Sequence, residues 1–146
     1  MKMKKFTIVV LSLISSLYLV SCGKYEEGPA LSLRTKTARV ANTWKIEKVI
    51  KNGADATISY GDFVANFTMV FERDGSYTES LSQTNGTKTV SEGTWKFSDD
   101  SKEIINTING QGVEVYTILK LKNSEFWYTT FNGVNKTEIH LIPKED

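Results

Sequence analysis

The chain has 146 residues, with 18 Lys or Arg and 17 Asp or Glu, and a formal net charge of +1. This near-neutral balance gives no reason to expect a nucleic acid partner. The single cysteine excludes a disulfide within the chain, and the length suits one domain around one hydrophobic core.

The first residues have the pattern of an export signal. Three lysines within the first five residues precede an apolar run over residues 6–20, which is short for a membrane span and suits a signal peptide. The run ends Leu19-Val20-Ser21-Cys22, which resembles the lipobox of bacterial lipoprotein precursors. The resemblance implies that residues 1–21 are removed and that Cys22 receives a diacylglyceryl group. The alternative is an ordinary secretory signal with an incidental thiol.

Lipidation would make Cys22 a stable anchor, because two or more acyl chains hold a protein at a membrane whereas one does so only marginally. We therefore predict an outer-membrane lipoprotein, either periplasmic or surface-exposed, in which residues 22–31 are the lipidated cysteine and a polar tether. Lys24 followed by Glu26 and Glu27 resembles the surface-export signal of some Bacteroidota lipoproteins. A plain solvated linker is the alternative.

Residues 32–146 are predicted to form one domain that opens with a short helix over residues 32–40, with Ser32 as its N-cap. From residue 43 onward, apolar and polar residues alternate with period two between closely spaced turns, which is typical of β-strands. The predicted strands lie at residues 43–50, 66–72, 76–83, 87–97, 103–108, 113–122, 125–131 and 136–142.

The connections between these strands are mostly tight turns. Asp74-Gly75 and Asn85-Gly86 are hairpin signals, because such pairs supply the positive φ that a two-residue turn requires. The exception is residues 51–64, which predict a long loop and a candidate lid over one end of the domain.

Two details of the pattern bear on which side chains face inward. Val90 is out of phase with Trp95, so we expect a bulge near Gly93. In the strand over residues 113–122, one face is expected to carry Val113, Val115, Leu119 and Leu121.

Eight strands joined by short turns predict an all-β fold, a small antiparallel up-and-down barrel. Short connections make sequential strands neighbours, and closure removes the open sheet edges. Trp44 in the first strand after a short helix, the eight strands and the Gly93-Thr94-Trp95 strand resemble the lipocalin-like lipoproteins of Bacteroidota. That resemblance implies that the barrel binds a small apolar molecule.

The sequence supplies no set of residues that would build an enzyme. His140 is the only histidine, and its position between Ile139 and Leu141 on a predicted strand indicates an outward polar side chain. One histidine and one lipidated cysteine cannot form a zinc site of the usual ligand types, and Asp99-Asp100 lacks the further oxygen ligands of a calcium site. We therefore expect no enzymatic activity, no metal and no cofactor.

The candidate ligand-binding residues are aromatic, and an eight-stranded barrel is just wide enough either to be filled by its own side chains or to hold one small ligand. We expect a mostly filled core with at most a shallow pocket. We predict a lipid-anchored envelope lipoprotein whose barrel binds a small apolar ligand. The alternative is a structural or protein-interaction module at the cell surface, with an envelope protein as partner and no ligand. The predicted lining residues are Trp44, Phe67, Phe71, Tyr77, Trp95, Phe97, Tyr116 and Trp127.

Overall fold

Eight strands close into an antiparallel up-and-down barrel in the computed structural model, which describes residues 26–27 and 33–145. In chain order the strands of the described residues are β1 (Glu26–Glu27), β2 (Asn42–Lys51), β3 (Ala54–Asp55), β4 (Phe67–Phe71), β5 (Ser76–Ser82), β6 (Lys88–Phe97), β7 (Glu103–Ile108), β8 (Gly112–Leu121), β9 (Phe126–Phe131) and β10 (Lys136–Pro143). The barrel strands are β2 and β4 to β10, and two short strands, β1 and β3, pair with them. From β4 to β10 each strand pairs with the next along the chain, and β2 closes the barrel by pairing with both β4 and β10. The predicted eight-stranded meander is confirmed.

The barrel has two distinct ends. We call the end that holds the β4–β5, β6–β7 and β8–β9 turns the closed end, and the opposite end, which holds the other hairpin turns and residues 52–66, the open end. The predicted signal peptide, Cys22 and Ser32 lie outside the described residues. Part of the predicted tether pairs with the barrel, because β1 lies parallel to β8 at Lys120 and Leu121, at the closed end.

Helix α1 (Lys36–Val40) leads into the closed end and begins later than the sequence predicts. Its N-cap is Thr35, whose extended backbone lets the side-chain oxygen accept the Ala38 N–H at 3.1 Å. Val40 is fully buried, and its carbonyl oxygen accepts the indole N–H of Trp44 at 2.8 Å. The helix is therefore fixed to the first barrel strand by packing and by a buried hydrogen bond.

The closed half of the barrel is filled by its own side chains. Trp44 and Phe126 meet edge to face with ring centroids 5.9 Å apart, and Phe71 packs edge to face on both Phe126 and Trp95, at 6.0 and 5.6 Å. Such aromatic contacts add about 0.5–1.5 kcal/mol each to the burial of the rings. The filled core that the sequence predicts is therefore present in the closed half of the barrel.

Two bulges, both absent from the sequence prediction, decide which residues face inward. An extra residue, Glu47, interrupts β2 opposite β10, and Leu119 interrupts β8 opposite β9. A bulge reverses the inward and outward faces of the strand beyond it, because side chains alternate with period two. The expectation that Val113 and Val115 share a face with Leu121 is therefore wrong. Both valines are exposed, whereas Leu121 is fully buried.

The bulge expected near Gly93 is also wrong. Gly93 pairs in continuous register with Tyr77 on β5 and Ile108 on β7, and Val90 lies exposed on the outer face. The glycine serves a different purpose. A Cβ atom at Gly93 would overlap the Thr107 carbonyl oxygen and lie 3.0 Å from the Ile108 Cα, so β6 and β7 approach too closely for any side chain there.

The predicted long loop after β2 has structure of its own. It contains β3, which pairs with β2, a 3₁₀ turn over Ile58–Tyr60 and helix α2 (Gly61–Asn66). Phe63 of this helix packs on the Phe67 ring with centroids 4.6 Å apart and joins the edge of the hydrophobic core. This segment therefore supplies one wall of the open end.

Candidate functional site

The open end of the barrel contains a cavity of about 580 Å³. Its volume falls within the range of roughly 300–1,000 Å³ that is typical of small-molecule sites. Five aromatic rings line it, together with apolar side chains such as Met69 and Ile139; the rings are those of Phe63, Phe67, Tyr116, Tyr128 and Phe131. The cavity is larger than the shallow pocket that the sequence predicts, because the inward side chains fill only the closed half.

Two carboxylates face this cavity, and a tyrosine holds each of them. Glu79 accepts the hydroxyl proton of Tyr77 through Oε2 at 2.9 Å, and Glu114 accepts that of Tyr116 through Oε2 at 2.7 Å. In each pair the two residues are two positions apart on one strand, so their side chains share a face. Glu79 is half-buried and Glu114 is exposed towards solvent.

Tyr77, Tyr116 and Tyr128, which we call the tyrosine cluster, lie beside the two carboxylates; Tyr116 and Tyr128 line the cavity, and Tyr77 lies outside its lining. All three are buried, and the rings of Tyr116 and Tyr128 stack at 4.2 Å between centroids. Burial raises the pKa of each hydroxyl well above its usual value, and the nearby Glu79 and Glu114 carboxylates raise it further. The three hydroxyls therefore stay protonated and act as hydrogen-bond donors.

Asn106 is the most unusual polar group near the cavity. It is fully buried on the inward face of β7, where Trp95 and Glu114 are its cross-strand neighbours. Among the described residues, neither its amide nitrogen nor its amide oxygen has a hydrogen-bond partner. An unsatisfied buried amide costs about 1–3 kcal/mol, and groups of this kind point to an ordered water or a ligand.

The predicted ligand-binding residues separate into three places. Phe67 and Tyr116 line the cavity, and Tyr77 lies outside its lining but donates its hydroxyl proton to Glu79, which belongs to the lining. The other inward aromatic residues pack in the closed half. There the Trp95 indole N–H donates a hydrogen bond to the Glu72 carbonyl oxygen at 2.8 Å. The structure places these four outside the cavity lining: Trp44, Phe71, Trp95 and Phe97.

Trp127 lies on the outer face of the barrel, so the prediction that it lines the interior is wrong. Its neighbours Phe126 and Tyr128 take the inward positions, and alternation turns Trp127 outward. The Trp127 ring stacks on the His140 ring with centroids 3.9 Å apart. Lys120 Nζ lies over the same indole, 3.5 Å from the ring centroid. The outward placement of His140 is as predicted, and its Nε2 lies 2.6 Å from Glu138 Oε1.

The sequence analysis missed both carboxylates. Glu79 could have been found, because it lies between Tyr77 and Leu81 in the same period-two series and shares their face. Glu114 could not, because the Leu119 bulge reverses the faces of β8 and no local residue signals that bulge.

The described part of the chain has no group of three or more His, Cys, Asp or Glu side chains that could hold a metal ion. Asp100, half of the Asp99-Asp100 pair, belongs to the β6–β7 turn, where it accepts the Lys102 N–H at 3.0 Å and the Ser98 hydroxyl at 2.9 Å. These hydrogen bonds hold the pKa of Asp100 below its usual value. Within residues 26–27 and 33–145, none of the helices has the length and apolar composition needed to cross a membrane.

Solved structures resemble this barrel although their sequences differ widely from it. A lipocalin-like protein from Bacteroides uniformis matches with a TM-score of 0.52 and 13% identity, over 73% of this chain and 99% of that one. An uncharacterized protein from Bacteroides eggerthii matches with a TM-score of 0.56 and 13% identity, over 72% and 99%. A DUF4847 family protein from Bacteroides vulgatus matches with a TM-score of 0.51 and 16% identity, over 74% and 96%.

No protein-family model and no curated protein sequence matches the chain. At such low identity the structural matches establish the fold alone, which is lipocalin-like.

Proposed function

We propose that this chain is a lipid-anchored, non-enzymatic lipoprotein of the bacterial outer membrane whose barrel binds one small molecule with an apolar body. The observation that carries the proposal is the cavity of about 580 Å³ at the open end, walled by aromatic rings above a filled core. Sites of this kind are concave and mostly apolar, with a few polar groups that fix the orientation of the ligand. The lipocalin-like fold supports the same function by analogy.

The geometry of the tether favours a defined orientation at the membrane. Cys22 lies four positions before Glu26, and four residues span at most about 14 Å. Because β1 pairs with β8 at the closed end, a lipid on Cys22 would hold that end near the bilayer. The open end would then face away from the membrane, accessible to a ligand in solution.

The anchor is tested by mass spectrometry of the mature N-terminus, after expression of the full chain in a host that processes lipoproteins. We expect a first residue of Cys22 carrying a diacylglyceryl group, and a soluble, unlipidated product from Cys22→Ser. A mature chain that begins elsewhere with a free thiol at position 22 would contradict lipidation. Protease treatment of intact cells separates surface exposure from a periplasmic location.

Ligand binding is tested by native mass spectrometry of the full chain, released from nanodiscs after gentle purification from its own host. We expect a bound small-molecule mass that disappears in Phe67→Ala, because Phe67 forms a cavity wall. Trp127→Ala is the matched control, since it removes an aromatic ring of the outer face and should keep the bound mass. An unliganded mass that no panel of small apolar and amphipathic probes changes would contradict the proposal.

The alternative, a protein-interaction module, is favoured by one specific observation. Phe131, Val134 and Val113 are 69%, 81% and 63% exposed, and all three lie at the open end. A cluster of exposed apolar side chains is typical of a partner surface. Of the three, only Val134 lies outside the cavity lining, so Val134→Ser should weaken cross-linking to an envelope protein if this function holds, while small-molecule binding in the cavity stays unchanged.

A further inference from the structure

The charge inside the cavity has one sign. Its lining includes the Glu79 and Glu114 carboxylates and contains no lysine, arginine or histidine. Within the described part of the chain neither carboxylate forms a salt bridge, although carboxylates elsewhere, such as the exposed Asp55 and the half-buried Glu125, pair with lysines. Two carboxylates in one partly enclosed cavity repel each other unless a positive charge lies between them.

We propose that the cavity binds an organic cation, whose ammonium group lies at Glu79 and Glu114 and whose apolar body packs on the aromatic walls. This inference rests on the proposed function, because it names the chemical class of the ligand for the same cavity. It departs from the purely apolar ligand that the sequence predicts.

The tyrosines prepare the carboxylates for such a ligand. Each tyrosine hydroxyl occupies Oε2 of its glutamate, which fixes the carboxylate and leaves Oε1 with its lone pairs available. An ammonium group donates up to three hydrogen bonds, and charge-assisted bonds of this kind are roughly twice as strong as neutral ones. Since the carboxylates are held before the ligand arrives, little side-chain entropy is lost on binding.

Asn106 is a further unsatisfied polar group beside Glu114, just outside the cavity lining. Its amide is fully buried and unpartnered within the described residues, and it faces inward directly across the strand pair from Glu114. Its amide oxygen can accept a hydrogen bond that neither the barrel nor an apolar ligand supplies. Because Asn106 lies outside the cavity lining, a donor-rich head group at Glu114 would reach this amide through an ordered water or a shift of the side chain.

The walls suit the rest of an organic cation. Tyr116 and Tyr128 present stacked rings, and Phe63 and Phe67 provide a second aromatic pair. Aromatic faces attract cations with about 0.5–2 kcal/mol and also cover apolar carbon. A bare calcium ion fits poorly, because it requires six to eight oxygen ligands and would leave most of the volume unfilled. A fatty acid also fits poorly, because its carboxylate would add a third negative charge beside those of Glu79 and Glu114.

The test compares three probes of the same size that differ in charge: phenethylamine, phenethyl alcohol and phenylacetate. The protein is the full chain in phosphatidylcholine nanodiscs, and binding is measured by isothermal titration calorimetry with empty nanodiscs as the blank. Two variants are compared with the wild type. Glu79→Gln with Glu114→Gln removes both charges and keeps an oxygen that accepts the tyrosine hydrogen bonds. Glu92→Gln, on the exposed outer face of β6, is the matched control.

We expect the wild-type protein and Glu92→Gln to bind the amine at least about tenfold more tightly than the alcohol, and the acid most weakly. In the double glutamine variant the preference for the amine should disappear while the alcohol still binds. Equal affinity for amine and alcohol in the wild type, or tighter binding of the acid, would overturn the cation assignment and leave the proposed function intact. Failure of all three probes and of longer alkyl amines to bind would overturn the proposed function itself.

Discussion

The close approach of β6 and β7 at Gly93 makes this position the most demanding in the barrel. We predict that Gly93→Ala strongly destabilises the fold. The new Cβ would overlap the Thr107 carbonyl oxygen and lie 2.9 Å from the Thr107 carbonyl carbon, and real Cβ atoms essentially never come within 3.0 Å of such atoms. Both neighbours are backbone, so no change of side-chain rotamer can relieve the overlap.

The cost follows from what must move. The two strands have to separate around the Gly93–Ile108 pair, which weakens one or two hydrogen bonds of the ladder at about 1 kcal/mol each. Strain from forcing extra volume into a packed structure adds about 1–3 kcal/mol. A total of about 2–5 kcal/mol is a large part of the roughly 5–15 kcal/mol that stabilises a typical domain.

The assay is urea denaturation followed by tryptophan fluorescence, for which buried Trp44 and Trp95 serve as reporters. The unfolding midpoint of Gly93→Ala should fall by at least about 0.7 M urea, given a slope of roughly 1–3 kcal/mol per molar urea. Gly61→Ala is the control, because Gly61 begins α2 with helical backbone angles and a Cβ there meets nothing within 4 Å. It should be neutral or stabilise by up to about 1 kcal/mol. Equal midpoints for Gly93→Ala and the wild type would refute the close approach.

Three further predictions test the interior. Because burial raises the pKa of the tyrosine cluster, its contribution to stability is complete below pH ~10, where unfolded tyrosine titrates, and is lost as the pH rises further, by up to about 1.4 kcal/mol per pH unit for each tyrosine. The three buried tyrosines should therefore contribute tyrosinate absorbance only when the barrel unfolds, and their smooth titration without unfolding would contradict this. Asn106→Leu should raise stability by about 1–3 kcal/mol in urea denaturation, since it removes an unsatisfied amide, and a loss of stability would mean that an ordered water or other group satisfies Asn106. Trp44→Phe should lower the free energy of unfolding by about 2–4 kcal/mol, because it removes the hydrogen bond to Val40 and leaves a cavity in the closed half. Faster hydrogen exchange in α1 should accompany this loss, and unchanged exchange there would show that Trp44 does not hold the helix.

The sequence by itself determined the architecture. Period-two alternation and turn pairs such as Asp74-Gly75 and Asn85-Gly86 predict all eight barrel strands to within one or two residues. This success has a local cause, because turn residues act through their own backbone angles and short turns force sequential strands to pair. The export signal and Cys22 are equally local patterns, and they stay predictions.

The tertiary structure alone decided which side chains face the interior. A bulge shifts the phase of a strand by one residue, and those at Glu47 and Leu119 arise from pairing with β10 and β9, which no pattern within β2 or β8 reveals. For that reason Glu114 shares the inward face with Tyr116, while Val113 and Val115, the apparent inward residues, are exposed at the rim of the cavity. How far the aromatic rings fill the barrel is likewise a property of their packing in three dimensions. In the closed half the rings pack against one another, whereas at the open end they stand around a cavity, and composition and periodicity cannot express this difference.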